Sequence, residues 1–217
     1  MLKGNFPIER FNAQRTPFYY YDLKLLRRTL DTVCECSAIV PKAHVHYAVK
    51  ANFNPRILKE IAARGLGADC VSGGEIKASV EAGFQPSDIV YAGVGKSDWE
   101  IEYALEIGIC RFNVESAAEL LVINDIAGRM GKTAPISLRV NPDIGAHTHA
   151  NITTGLAENK FGINYEQLED VLRLAISLEH IKFEGLHFHI GSQILDMMDF
   201  VALCNRVNTL TSDLRKK

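Results

Sequence analysis

The 217-residue sequence predicts an α/β fold: a (β/α)8 barrel of the TIM type, incomplete in this chain. After residue 24, short β-branched or aromatic runs alternate six times with amphipathic stretches, a pattern typical of parallel strands with helices outside. Right-handed crossovers then allow an open doubly wound sheet or a closed barrel. An open sheet usually carries G-x-G-x-x-G after its first strand, and this motif is absent there. We therefore predict a barrel with about six of its eight βα units.

The strand and helix boundaries follow from local signals. The predicted strands end at about Lys50, Ser72, Gly93, Glu115, Asn141 and Ser192. Asn54 followed by Pro55 predicts a capped helix with proline at its first position. Capping boxes, the last two of them weaker, predict later helix starts at Ser97/Glu100, Ser116/Glu119, Asn164/Gln167 and Asp196/Asp199. Active sites of barrels lie at the C-terminal ends of the strands, so side chains at these ends are the functional candidates.

Two stretches lie outside this repeat. Residues 16–22 (TPFYYYD) read as a strand without a place in the barrel. We therefore predict a separate N-terminal segment, 1–23, and a partial barrel, 24–217. Residues 142–164 form a long connection rich in Gly, Thr, His and Asn, and connections of this length in a compact domain are usually functional.

Composition predicts a soluble protein of the cytoplasm. Hydrophobic residues make up 47% and charged residues 23%, and the formal net charge is −2, which gives no indication of a nucleic-acid partner. No apolar run is long enough for a secretory signal or a membrane span, so no membrane association is expected. The five cysteines include no C-x-x-C motif, which is typical of reduced thiols.

Lys50 is the first candidate for chemistry. It closes the apolar run HVHYAV and precedes a turn, at the predicted end of a buried strand. Lysine is rarely buried unless it is paired or used covalently, and a desolvated, neutral amine is a nucleophile for aldehydes. The alternative is a surface lysine whose stem covers apolar neighbours. Position alone leaves both interpretations open.

Three H-x-H pairs raise the question of a metal: His44/His46, His147/His149 and His187/His189. Alternate strand residues share a face and could chelate zinc. The first pair begins its strand, at the end opposite to a barrel active site, and the second lies in a loop. We predict no protein-bound metal and a structural role for the first pair. Residues 93–97 (GVGKS) lack the spacing of a phosphate-binding P-loop and predict a turn before a helix cap.

Other polar side chains also collect at strand ends. His189 and Ser192 place an imidazole and a hydroxyl around Gly191, where they could contact a flat ring and a phosphate, although His189 could equally be a core histidine. Asp69, Glu75 and Arg139 follow or end other strands.

The motifs in combination point to a known family. In order along the chain they are YAVKAN at 47–52, ADCVSGGE at 68–75, GVGKSDWEIEYAL at 93–105, FNVES at 112–116, SLRVNPD at 137–143, ENKFGI at 158–163 and GLHFHIGSQI at 185–194. From about Thr16 to the last residue the chain closely resembles the diaminopimelate decarboxylases. These are barrel-type pyridoxal-phosphate enzymes, related to ornithine and arginine decarboxylases and alanine racemase.

This resemblance implies roles for matching positions. Lys50 matches the lysine that forms a Schiff base with pyridoxal 5'-phosphate (PLP), and His189 matches the imidazole that stacks on its ring. Ser192 matches a phosphate ligand, and Asp69 and Arg139 match polar residues of the cofactor pocket, as does Glu75. Lys160 matches a lysine near the subunit interface, which is not expected to be catalytic.

The implied reaction is decarboxylation of meso-diaminopimelate to L-lysine, in which the cofactor ring absorbs the electrons left by CO2. The family is implied to act as a homodimer with a shared active site. Two barrel strands, a glycine-rich phosphate loop and a C-terminal β domain of the family have no match in this chain. The resemblance implies that the N-terminal strand, with Tyr19 and Tyr21, belongs to this missing β domain. We therefore expect the chain to be part of a longer protein, with little or no activity alone.

Other functions stay open on the sequence. The chain could belong to another PLP barrel decarboxylase or amino-acid racemase, or it could be a non-catalytic PLP carrier. A metal-dependent hydrolase is disfavoured by the positions of the H-x-H pairs.

Overall fold

A computed structural model describes residues 4–141, 161–192 and 194–216. The described residues form six strands: β1 (His46–Ala48), β2 (Gly67–Cys70), β3 (Ile89–Tyr91), β4 (Arg111–Val114), β5 (Ala134–Arg139) and β6 (Ile181–His187). The helices are α1 (Ile8–Asn12), α2 (Leu23–Ser37), α3 (Pro55–Ala62), α4 (Gly73–Ala82), α5 (Asp98–Ile107), α6 (Ala117–Arg129), α7 (Tyr165–Ser177) and α8 (Met197–Arg215).

The six strands form one parallel sheet in the order β1-β2-β3-β4-β5-β6. Each strand therefore pairs with the next strand along the chain, as in a barrel. In the described residues β1 and β6 pair with no further strand and not with each other, so the sheet is open at both edges. The predicted architecture, six consecutive βα units of an incomplete barrel, is confirmed.

The two faces of the sheet have different environments. The outward face carries apolar side chains that are fully buried against the helices, including Ala68, Phe112, Ile136 and Leu138. The inward face carries polar residues, because Asp69 of β2 and Asn113 of β4 alternate with these apolar positions. Inside the barrel, Asn113 and the Ser137 hydroxyl form a buried hydrogen bond across β4 and β5.

Helix starts agree with most of the predicted signals. Asn54 accepts a hydrogen bond from the Arg56 backbone N–H, and Pro55 occupies the first helical position. Ser97 and Glu100 form the predicted capping box. Asp196 also caps its helix, whereas the side chain of Asn164 accepts no bond from the first turn of α7.

The strands end earlier than predicted. The first one ends at Ala48, because Val49–Ala51 forms a short 3-10 turn, and the last one ends at His187 rather than near Ser192. Residues 188–191, which follow the last strand, have no regular secondary structure, although Ile190 is still buried.

Residues 16–22 form no strand with any described segment, so the predicted strand outside the barrel stays a prediction. This segment is irregular, and the described residues offer it no partner strand for its backbone groups. Its aromatic side chains instead contact each other and α1: the Phe11 ring lies 5.4 Å from Phe18 and 4.9 Å from Tyr20, while Tyr19 is 90% exposed. The division of the chain at residue 23 stays a prediction, although α2 does begin there, capped by Asp22.

Candidate active site

A cavity of about 320 Å³ opens at the C-terminal ends of the strands, where a barrel active site is expected. It is lined by Lys50, Asp69, Val71, Ala92, Gly93, Val94, Glu115, Arg139, Phe161, His187, His189 and Ser192. The five residues predicted as cofactor or catalytic residues are all among them: Lys50, Asp69, Arg139, His189 and Ser192.

Lys50 reaches this cavity from the 3-10 turn after β1. Of the two environments that its position left open, the structure shows the exposed one. Its neighbour Val49 is the fully buried residue of this turn. The apolar run therefore correctly located a strand that enters the core, but the chain turns before the lysine, which leaves the amine accessible from the cavity.

Asp69 points inward from β2 towards the cavity. Burial raises the pKa of this carboxyl, and the nearby positive charges of Lys50, His46 and Arg139 act in the opposite direction. Its Oδ1 atom is buried and has no hydrogen-bond partner in the described part of the chain. A buried oxygen of this kind is suited to accept a hydrogen bond from a ligand.

Arg139, at the end of β5, is fixed by Glu115, at the end of β4. The Arg139 Nη1 atom lies 2.8 Å from Glu115 Oε1, and the two side chains are 14% and 2% exposed. The same oxygen accepts a hydrogen bond from the Gly93 backbone N–H at 3.1 Å. Glu115 Oε2 is buried with no partner among the described residues. The guanidinium also lies over the Phe161 ring, 5.6 Å from its centre.

Sequence reasoning did not assign Glu115 to the site. The sequence places Glu115 at the end of a predicted strand, within FNVES, and the adjacent Ser116 predicts a helix cap there. Its position at the C-terminal end of a predicted barrel strand was the signal that could have identified it.

His187 was also missed as a cavity residue, because its H-x-H pair was considered only as a metal site. Burial, followed by the positive charges of Arg139, His189 and Lys96, lowers its pKa to about 4. The imidazole is therefore neutral near pH 7, and its buried Nδ1 has no partner among the described residues.

Glu75 was predicted to line the pocket, but it caps a helix instead. Its carboxylate accepts a hydrogen bond from the Val71 backbone N–H at 2.8 Å, and its own N–H donates to Ser72 Oγ at 3.2 Å. It is not among the cavity-lining residues and acts on the site by holding Val71.

The remaining candidates concern metals and the long connection. His46 begins β1, at the end opposite to the cavity, and His44 is exposed. Over residues 4–141, 161–192 and 194–216, no group of three or more His, Cys, Asp or Glu side chains could hold a metal ion. His147, His149 and Lys160, with most of the 142–164 connection, lie outside the described residues.

These residues fit a small, flat, anionic cofactor that carries an amine-reactive group. The cavity volume is within the usual range of small-molecule sites. Lys50 supplies an accessible amine, while Arg139 supplies a cation and Ser192 a hydroxyl for a phosphate. Asp69 and His187 offer buried polar atoms without a hydrogen-bond partner in the described ranges of the chain. PLP has all the complementary groups.

Comparisons with known proteins agree with this chemistry. A diaminopimelate decarboxylase of Bacteroides thetaiotaomicron is 59% identical over 216 residues, covering 100% of this chain and 56% of that protein. The crystal structure of diaminopimelate decarboxylase from Helicobacter pylori complexed with L-lysine is 40% identical with a TM-score of 0.88, covering 96% of this chain and 53% of that one. The M. jannaschii diaminopimelate decarboxylase in co-complex with L-lysine is 32% identical, with a TM-score of 0.86, covering 96% of this chain and 50% of that one.

This chain spans about half the length of the curated relatives it matches. No helix in the part of the chain that the structure describes is both long and apolar enough to cross a bilayer. The pyridoxal binding domain of the pyridoxal-dependent decarboxylases matches residues 26–217, nearly the whole chain. The chain therefore belongs to the pyridoxal-dependent decarboxylase family and corresponds to its pyridoxal binding domain.

Proposed function

We propose that this chain supplies the cofactor-binding half of a PLP-dependent decarboxylase that converts meso-diaminopimelate to L-lysine in lysine biosynthesis. One observation carries the proposal: Lys50, Asp69, Arg139, His189 and Ser192 line a single cavity at the C-terminal ends of the strands. The names of the relatives, diaminopimelate decarboxylases of several bacteria, support the choice of substrate.

Lys50, Ser192 and His189 would each hold one part of the cofactor, and Arg139 would add a cation for its phosphate. The Lys50 nitrogen would bond to the aldehyde carbon of PLP in place of its oxygen, which leaves as water. Ser192 would donate its hydroxyl to the phosphate, and the imidazole of His189 would lie against the ring. When bound, the ring withdraws the electron pair left by the departing CO2.

The other cavity residues set the charge around these groups. Asp69 and Lys50 line the same cavity. Asp69 Oδ1 would therefore accept a hydrogen bond from a protonated group that lies beside Lys50. His187 is neutral near pH 7 and adds no positive charge beside Arg139. Arg139, held by Glu115, keeps one cation directed into the cavity.

Several finer features are proposals as well. The resemblance to the family implies a homodimer with a shared active site. It also implies that meso-diaminopimelate is the substrate. A cytoplasmic location is supported by the five cysteines, all of which are free thiols.

Covalent attachment through Lys50 is the decisive test. The chain is mixed with PLP, reduced with borohydride to make the bond permanent, digested, and the modified peptide is identified by mass spectrometry. We expect the added mass on Lys50, with loss of both the mass and the lysine-bound absorbance band in Lys50→Ala. Lys59→Ala, which removes an exposed lysine of α3, serves as the matched control and should behave as the wild type. Modification of other lysines alone would overturn the assignment.

A further inference from the structure

Lys96 is a buried lysine outside the cavity that the proposed chemistry does not use. Its side chain is 1% exposed. Its Nζ donates to the Gly93 carbonyl at 2.6 Å, to the Asn113 carbonyl at 3.0 Å and to Glu119 Oε1 at 2.6 Å. An ammonium group has three donors, so all three are used.

These acceptors belong to three different elements. Gly93 follows β3, Asn113 lies on β4 and Glu119 lies in the first turn of α6. The β3–β4 ladder pairs only Val90 with Arg111 and Tyr91 with Phe112. The strand ends beyond this short ladder, which carry cavity residues, are therefore joined through the Lys96 ammonium.

A second link runs from Glu119 to the cavity. Glu119 Oε2 accepts a hydrogen bond from the Glu115 backbone N–H at 2.8 Å, so one carboxylate holds both Lys96 and Glu115. The Glu115 side chain in turn accepts hydrogen bonds from Gly93 N–H and Arg139. Gly93 is thus held by two partners of this network, Glu115 and Lys96, and Glu115 is held by three.

The network is also electrically balanced. It contains two cations, Lys96 and Arg139, and two anions, Glu115 and Glu119, with side chains that are at most 14% exposed. Removing one charge from such a group leaves an uncompensated buried ion, so its neighbours must rearrange or bind water.

We propose that Lys96 is a positioning residue for the cofactor cavity. Through Gly93 and Glu119 it fixes Glu115, and Glu115 holds Arg139 at the cavity wall. The effect on PLP rests on the function proposed above, whereas the effect on the protein's own atoms does not.

The first test needs no cofactor. Amide hydrogen exchange is measured by NMR for the wild-type chain and for Lys96→Met, which keeps the length of the side chain. We expect the amides of Gly93 and Glu115 to exchange about tenfold faster or more, while Ile136, two strands away from β3, is unchanged. Lys77→Met, which removes a lysine stacked on Trp99 at the outer surface, is the control and should leave both amides protected.

A merely structural role for Lys96 gives a different result. If amide exchange becomes faster by the same factor in all strands, or stays unchanged at Gly93 and Glu115, the proposal is overturned. If Lys96→Met fails to fold, Glu119→Gln provides the same measurement. Lys96 and the Glu115 N–H donate to different oxygens of Glu119, and in glutamine one of these positions becomes an NH2 group that cannot accept. The same two amides are then expected to lose protection.

The second test is a double-mutant cycle on PLP affinity. Lys96→Met is expected to weaken PLP binding about tenfold in the wild-type background and by less than about twofold in the Arg139→Ala background, because the effect passes through Arg139. Equal losses in both backgrounds would refute this route. A wild-type chain that binds no PLP would refute the proposed function, and the exchange experiment would still decide the positioning role.

Discussion

The charge state of His187 is set by its surroundings in the cavity. Burial is the largest cause of its lowered pKa, followed by the charges of Arg139, His189 and Lys96. In the unfolded chain the same imidazole has a pKa near its usual value of 6.5. The unfolded state therefore takes up a proton first as pH falls. The stability that neutral His187 contributes is present above about pH 6.5 and is lost as pH falls towards 4.

The free energy of unfolding should therefore depend on pH. Between pH 6.5 and 4 the wild-type free energy of unfolding should lose about 3 kcal/mol through His187, at about 1.4 kcal/mol per pKa unit. Urea unfolding at several pH values for the wild type and His187→Gln measures this difference. The variant should show a flatter profile, and the control His44→Gln, at an exposed position, should follow the wild type. Parallel wild-type and His187→Gln profiles would contradict the prediction.

Single residues also show what sequence reasoning could reach. The type of Lys50 and its place before a turn made it a candidate, the resemblance to the family implied its role, and the structure brings it into the cavity. Lys50 is exposed, as in the alternative that its position left open, whereas the side chain of Lys96 is buried. Sequence spacing gives no measure of how far a chain turns after its last ladder pair. Sequence spacing also does not show that the Lys96 ammonium donates to the Gly93 carbonyl after β3 and to the Asn113 carbonyl on β4.

At the scale of elements, the same hydrogen-bond pattern recurs where strands lead into helices. Glutamate at the third position of a helix accepts a hydrogen bond from a backbone N–H near its start: Glu75 from Val71, Glu100 from Ser97 and Glu119 from Glu115. In two of the three, the donor lies one residue before the cap and lines the cavity. These carboxylates therefore satisfy helix ends and also hold the cavity wall.

The caps provide a matched comparison within the chain. Asn54 accepts a hydrogen bond from the Arg56 backbone N–H, whereas Asn164 begins α7 without such a bond from its first turn. Asn54→Ala should lower the free energy of unfolding by about 1 kcal/mol, and Asn164→Ala should change it by only a few tenths. Thermal or urea unfolding of both variants measures this, and equal losses would show that the cap bond is not responsible.

The elements also show where local pattern stops being informative. The alternation of strands and helices, most caps and the strand order were predictable, because each depends on short-range signals and on right-handed crossovers. The aromatic run at 16–22 has strand composition, but a strand also requires a partner for its backbone. No described segment provides one. Pairing is a property of the whole chain, so composition alone could not predict the outcome.

At the scale of the whole molecule, the cavity is built from six strands of an open sheet. In the described residues the phosphate-compatible groups of the cavity are few, chiefly Arg139 and Ser192. Phosphate sites of barrels frequently depend on the loops after strands seven and eight. A second, mainly apolar cavity of about 370 Å³ lies beside β6 and is lined by Leu172, Phe183 and Leu186, among others. An unpaired sheet edge, such as the one at β6 in the described residues, favours association with further strands.

The enzymatic activity of this chain can be compared with that of a longer relative. We expect the 217-residue chain to form little or no lysine from meso-diaminopimelate, because it spans 56% of the Bacteroides thetaiotaomicron relative. Lysine formation should be measured for this chain, for the full-length relative, and for the relative shortened to the matched span. The two short chains should both fall to background while the full-length relative is active. If the short chains instead form lysine at a rate comparable to the full-length relative, six βα units are sufficient for catalysis, and the expectation is wrong.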